Sequence, residues 1–214
     1  MRYSPEIAKY LRIKCFSWKE KGYCGCVLVE ETQERRMLYR LDHLVHLAHY
    51  DAATDVQNRN SFEGYCAHFA ECNGGTNVEH VQPNEPVGSM VGVAFVDVNG
   101  LKHINDTFGH DSGNFLIRMV SDKIKDELYG SNFQLFRVGG DEFVVVLPDI
   151  SKNELWVVEQ HLKDAFVNIT VPHFPPVLAA LGTAWSERAQ NLTELVKEAD
   201  ARMYEHKRKL KVAR

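Results

Sequence analysis

A chain of 214 residues suffices for one sizeable core and an appendage. Its composition, 44% hydrophobic and 25% charged with a net charge of −4, argues against a general nucleic-acid binder. No apolar run reaches membrane-spanning length, and the opening MRYSPEIAKYL lacks the charged-then-apolar pattern of a secretory signal. Five irregularly spaced cysteines with no C-x-x-C pair predict reduced thiols in a cytoplasmic protein, with neither a disulfide framework nor a zinc site.

Near the start, KGYCGCVLVEE (Lys21 to Glu31) reads as a strand, with nothing around it to complete a sheet. It resembles the last strand of a GAF- or PAS-type sensor, which would make this chain the back part of a longer protein. Next, RRMLYRLDHLVHLAHYD places Met37, Leu41, Leu44 and Ala48 at the four-three-four spacing of a helix-pairing seam. His43, His46 and His49 share that helix. They read as a solvated flank rather than a metal cluster, because no acidic or cysteine partner sits at ligand spacing. Residues 1–50 are therefore expected to be a sensor end plus a signalling helix, and 51–214 a separate catalytic domain.

From Asp51 onward the pattern is regular. A helix is expected over Ser61–Cys72, then a loop rich in Gly, Asn and Pro to about Gly88, then the strand MVGVAFVD ending at Asp97. Gly109 and Gly113 are expected to break up the following stretch. Leu116, Val120, Ile124 and Leu128 mark the apolar face of a long helix. A strand over Asn132–Val138 turns at Gly139-Gly140 into a second, Phe143–Leu147. Ser151 with Glu154 forms a capping box for a helix burying Leu155, Val158 and Leu162. VLAALGTAW gives a further strand, and Asn191 with Glu194 caps a last helix that buries Leu192, Leu195, Ala199 and Met203. The fold class is thus α+β: a ferredoxin-like βαββαβ sheet of palm type with flanking helices and an N-terminal helical extension.

That topology sets the strand ending at Asp97 antiparallel to the strand starting at Asp141, so two carboxylates meet. Such a pair repels unless a cation neutralises it. A hard, oxygen-seeking ion such as Mg²⁺ suits the pair and leaves positions for phosphate oxygens, and paired metals serve phosphoryl transfer. Taken alone, the GGDE turn would be a solvated hairpin tip. Downstream, DVNGLKHINDTFGHDSGN supplies Lys102 for phosphate charge and Asn105 as a two-sided amide for a base edge. Gly100, Gly109 and Gly113 allow close backbone approach. Lys207 and Lys211 lie one turn apart near the end, a spacing that a solvated helix terminus would show as well. No Walker sequence is present.

Five separated motifs in register carry a family resemblance: DAATDVQNRNSF, DVNGLKHINDTFGHDSGN, RVGGDEF, ALGTA and EADARMYEHK. From about Asp51 to Lys211 the chain resembles the GGDEF family of diguanylate cyclases. The resemblance implies condensation of two GTP into cyclic di-GMP plus two pyrophosphates, each 3′-hydroxyl attacking the other's α-phosphate across a two-fold homodimer. It implies two Mg²⁺ (or Mn²⁺) per site, held by Asp97, the Val98 carbonyl and Asp141. Asp141 would also deprotonate the hydroxyl, with Glu142 beside the metal and Lys102 steadying phosphate charge. GTP would be bound by Gly100, Leu101, Asn105, His110, Asn114, Gly139, Gly140, Lys207 and Lys211. An upstream sensor in a full-length chain would control the pairing of subunits.

Three departures stand out. Family members usually carry Asp where this chain has Asn114, which trades a double acceptor for one acceptor and one donor. Guanine selectivity should weaken, with mixed GMP–AMP cyclic product, since Asn can pair with the acceptor–donor edge of adenine. The inhibitory R-x-x-D site is replaced by Gly130, Ser131, Asn132 and Phe133, so strong product inhibition by that route is not expected. The usual terminal G-R-N is Leu210-Lys211-Val212, which keeps charge but loses the guanidinium fork. Asn99, where many members have Asp, is a common variant of little consequence. The competing reading is a degenerate GGDEF module that binds GTP and regulates a partner without catalysis. A polymerase or other nucleotidyl cyclase of palm architecture is disfavoured by the guanine-site motifs.

Overall fold

The computed structural model describes residues 10–18, 23–31, 33–73, 89–167 and 179–212, with side chains described from residue 37 and up to residue 210. The chain falls into two compact units, Met1–Ala48 and His49–Arg214.

In the first unit, β1 (Tyr10–Trp18) pairs antiparallel with β2 (Tyr23–Glu31) in register from Tyr10↔Glu31 to Trp18↔Tyr23. The expectation of a strand without a sheet partner is therefore corrected. Tyr10–Trp18 supplies one, because its own alternation (Leu11, Ile13, Cys15) suits a two-stranded ribbon. Helix α1 (Gln33–His49) follows. Its seam residues Met37, Leu41 and Leu44 are exposed, as are Leu38, Val45 and Leu47.

The second unit is built on a five-stranded sheet of order β3-β5-β6-β4-β7. Its strands are β3 (Gln57–Asn58), β4 (Ser89–Val98), β5 (Gln134–Arg137), β6 (Glu142–Pro148) and β7 (Ala179–Ala189). The last four lie in the order of a split βαβ: β6 runs antiparallel between β5 and β4, and β7 closes the far side of β4 antiparallel. The unforeseen two-residue β3 adds a parallel edge to β5. The central strands read as near-continuous apolar runs because both faces are covered. One face packs Ala94, Val96, Phe143 and Val145 against Ile117, Val120 and Ile124 of α4 (His110–Glu127) and Leu155 and Leu162 of α5 (Lys152–Val167). The other packs Val93, Phe95, Val144 and Val146 with Phe69 of α2 (Arg59–Asn73) and Leu195, Ala199 and Met203 of α6 (Thr193–Val212).

The local signals are realised with few shifts. In the capping box ahead of α5, Ser151 N–H donates to Glu154 Oε2 at 2.9 Å and Glu154 N–H to Ser151 Oγ at 3.3 Å. Asn191 Oδ1 accepts from Thr193 N–H at 3.1 Å at the start of α6. Gly109, at φ 85°, does separate α3 (Leu101–Phe108) from α4. Gly113 does not break the chain. It is buried inside α4, where the absence of a side chain makes room for Asn105. The expected loop to Gly88 lies outside the described residues. Among the described residues, no helix is long and apolar enough to cross a membrane. Cys66 and Cys72 are free thiols, and burial pushes the Cys66 thiol up to about 11.

Candidate active site at the carboxylate end of the central strands

The β4–β6 ladder sets Asp97 opposite Glu142, and Val98 N–H donates to the Asp141 carbonyl at 2.8 Å. Between β5 and β6 the turn is tight: Val138 and Gly139 N–H both reach the Glu142 carbonyl, at 3.0 and 3.3 Å. A Cβ on Gly139 would sit 2.3 Å from Glu142 Oε2, so the glycine is required for that carboxylate to fold back over the turn. Asp97, Asp141 and Glu142 thus cluster at one end of the sheet. Burial raises the Glu142 pKa above its usual value, and the negative charges of Asp141, Asp97 and Asp200 raise it further. Asp200, one residue beyond Ala199 on α6, was not among the residues expected here.

Asp97 is buried, and both of its oxygens are taken by a single cation: Lys207 Nζ lies 2.6 Å from Oδ1 and 2.7 Å from Oδ2. Two contacts hold α6 close enough for this. Gly182 of β7 meets the α6 backbone so tightly that a Cβ there would lie 2.1 Å from Met203 N. Leu181 N–H donates to His206 Nδ1 at 3.1 Å, next to Lys207. Neutral His206 is therefore the acceptor, and its pKa is lowered by burial first and the Lys163 charge second. Lys211 belongs to α6, but its side chain lies outside the described residues.

Immediately after β4, Gly100 takes φ 82° and opens α3, its carbonyl accepting from Ile104 N–H at 3.1 Å. Only a residue tolerant of the left-handed region turns the chain this sharply. Leu101 is half-buried, Lys102 is exposed in the first turn, and Asn105 is half-buried one turn on. Asn105 rests on Gly113, whose added Cβ would fall 1.8 Å from Asn105 Oδ1. His110 and Asn114 are exposed at the start of α4. The structure thus brings one group together at the ends of β4 and β6 with Lys207, and a second along α3 and the start of α4.

One pair was missed in the sequence. Arg137, the last residue of β5, donates from Nη1 to Asp51 Oδ1 at 2.7 Å and from Nη2 to the Gly140 carbonyl at 2.7 Å. The same Asp51 oxygen accepts from Thr54 Oγ1 at 2.7 Å, Thr54 N–H at 3.0 Å and Ala53 N–H at 3.2 Å. Burial works against ionisation of Asp51, but the bonds and charge of Arg137, with Thr54, outweigh it and hold the carboxyl below its usual range. Arg118 and Lys125 of α4 bind the Ala53 and Thr54 carbonyls of the same turn at 2.8 and 3.4 Å. The turn that follows α1 is thereby tied to the Gly139-Gly140 hairpin. A charged residue directly after the apolar pair Leu135-Phe136 was the available signal.

Among the described residues, no cluster of three His, Cys, Asp or Glu side chains is arranged to hold a metal ion. Carboxylate oxygens are the donor type a hard cation prefers, and the buried Asp97 carboxylate is already matched to a positive group.

The family model "Diguanylate cyclase, GGDEF domain" matches residues 48–212. The cyclic di-GMP phosphodiesterase NbdA of Pseudomonas aeruginosa is 32% identical over 139 residues, covering 63% of this chain and 16% of NbdA. The diguanylate cyclase DgcM of Escherichia coli K12 is 24% identical over 182 residues, covering 85% of this chain and 41% of DgcM. This chain therefore spans less than half the length of either relative. Among solved structures, the coiled coil and GGDEF domain of DgcB from Caulobacter crescentus, in complex with c-di-GMP, matches with a TM-score of 0.67 at 20% identity, covering 82% of this chain and 89% of that one. With the family model matching well over half its length, and the glycine hairpin and its carboxylates intact, the chain belongs to the GGDEF domain family of diguanylate cyclases.

Proposed function

We propose that this chain is a diguanylate cyclase, joining two GTP into cyclic di-GMP with release of two pyrophosphates. The observation that carries the reading is the β4–β6 register, which sets Asp97 opposite Glu142 with Asp141 adjoining. Asp97, Asp141 and the Val98 carbonyl would hold Mg²⁺ or Mn²⁺, two ions per site, which when bound polarise the α-phosphate and offset charge on the leaving pyrophosphate. Asp141 accepts the proton of the attacking 3′-hydroxyl. Glu142, with its raised pKa, lies beside it. Lys102 steadies the phosphates from the first turn of α3, with the Gly100 and Leu101 backbone and the Gly139-Gly140 turn admitting them closely. Lys207 and Lys211 bind the triphosphate from α6. Asn105 and Asn114 read the base edge, with His110 near it.

Each site builds one of the two phosphodiester bonds, so the active unit is a two-fold pair of chains. Residues 1–50 would be the end of a sensor and its signalling helix in a longer cytoplasmic protein, controlling that pairing. The test is pyrophosphate release from Mg²⁺ and GTP over a range of protein concentrations. Specific activity should rise with concentration as pairs form. A monomeric chain fully active at the lowest concentration would refute the paired site.

A second reading, a GTP-binding regulator without catalysis, is favoured by Asn114 and by likeness to NbdA, which is named a phosphodiesterase. GTP binding without pyrophosphate release at any protein concentration would establish it. The intact carboxylates favour catalysis.

A further inference from the structure

We propose that Lys207 is an internal counter-ion for Asp97 that competes with the divalent cation and is handed over to nucleotide phosphates when the cation binds. The inference rests on the cyclase reading in one respect, that Asp97 is a metal carboxylate. Both oxygens of this carboxylate are engaged by one ammonium, at 2.6 and 2.7 Å, and its side chain is only 7% exposed against 25% for the lysine. A carboxylate so enclosed needs a positive partner at all times. A divalent ion requires the same lone pairs, so the two cannot both be seated in this arrangement.

The lysine has to yield by moving its side chain, because the helix cannot retreat. Gly182 holds the α6 backbone against β7, and Leu181 N–H is bonded to His206 beside it. A four-carbon stem with a rotatable ammonium suits such a swing, which a rigid guanidinium fork would resist. The charges of Asp97, Asp141 and Asp200 all act on Glu142, so a lysine leaving Asp97 without an anion to receive it would leave that negative group uncompensated. A triphosphate is such an anion. Metal alone should therefore bind weakly, and metal with nucleotide far better, with Lys207 setting the order.

The test is Mn²⁺ binding to the full chain without nucleotide, followed by the electron paramagnetic resonance of free Mn²⁺. Wild type is compared with Lys207→Met and Lys207→Gln, the latter keeping a neutral donor for Asp97 in case the unpaired carboxylate prevents folding. Both variants should bind Mn²⁺ at least about tenfold more tightly, the worth of a charge-assisted contact. The gain should persist in high salt, which screens a distant charge but not a direct competitor. Equal affinity in wild type and variants, no measurable Mn²⁺ binding in either variant, or a gain that vanishes with salt would each overturn the exchange. Adding Asp97→Asn separates the two claims. If Mn²⁺ binding to the Lys207 variants survives it, the metal assignment fails. If binding depends on Asp97 yet ignores Lys207, only the exchange fails.

Discussion

The substitution Asp51→Asn removes one charge from the joint between the turn after α1 and the Gly139-Gly140 hairpin while leaving an acceptor in place. The amide oxygen it introduces can still receive the Ala53 and Thr54 N–H groups, so the turn itself should survive. What is lost is the ionic part of the 2.7 Å contact with Arg137, between side chains 14% (Arg137) and 24% (Asp51) exposed. A hydrogen bond to a charged group contributes about 1.5–3 kcal/mol, and a neutral acceptor retains part of it, so the cost should be about 1–2 kcal/mol. At about 2–4 °C per kcal/mol for a unit of this size, Tm should fall by about 2–8 °C. The buried Arg137 Nε has no partner, which keeps the expectation away from the upper end. Chemical denaturation of wild type, Asp51→Asn, Arg137→Met and the double variant gives the coupling, expected at about 1 kcal/mol or more. The Asp51 pKa is lowered from 3.8, so its stabilisation is complete above that value and lost as pH falls through the lowered one. The gap between wild type and Asp51→Asn should close accordingly in acid. Additive effects of the two substitutions, or a gap unchanged by pH, would refute the reasoning.

Other positions probe the carboxylate cluster, the base site and the seating of α6. Glu142→Gln should raise stability at neutral pH, because a carboxyl whose pKa is raised above 4.5 by burial, Asp141 and Asp97 destabilises the fold once ionised. That gain should be smallest in acid and grow as pH rises through the raised pKa, and its absence would mean the carboxylates do not share one site. Gly113→Ala drives a methyl to 1.8 Å from Asn105 Oδ1, the movable end of a side chain. Stability should change by no more than about 1 kcal/mol, while GTP affinity falls by about tenfold as Asn105 is displaced. Unaltered GTP binding by calorimetry would remove Asn105 from the base site. Gly182→Ala meets the backbone at Met203 N and Ala199 O, at 2.1 and 2.3 Å, which cannot simply rotate away. It should cost about 3 kcal/mol or more by chemical denaturation, and an unchanged midpoint would contradict the close seating of α6.

Much of this was legible because local pattern and global topology agree. The apolar run before Asp97 and the glycine turn before Asp141 define two strands, and the ferredoxin-like order then makes them neighbours, as the Asp97↔Glu142 register bears out. The Ser151–Glu154 box marked a helix start for the same reason: its bonds are local. What escaped the sequence depends on distant partners. Lys207 and Asp97 are 110 residues apart and Arg137 and Asp51 are 86 apart, so no helical or strand period records either pair. Gly113 looked like a break because glycine is a poor helix former, yet its reason is tertiary: Asn105 occupies the space a side chain would take. The N-terminal hairpin was half seen, since a two-stranded ribbon leaves only weak alternation in each strand.

The central claim, that the Asp97–Asp141 pair carries nucleotide condensation, is tested most directly by mass spectrometry of products. The chain would be incubated at high concentration with Mg²⁺ and equal GTP and ATP, beside an Asp141→Ala control. Cyclic di-GMP is predicted in wild type and none in the control, with mixed GMP–AMP product marking the effect of Asn114 on base choice. Cyclic product undiminished by Asp141→Ala, or none from wild type, would contradict the claim.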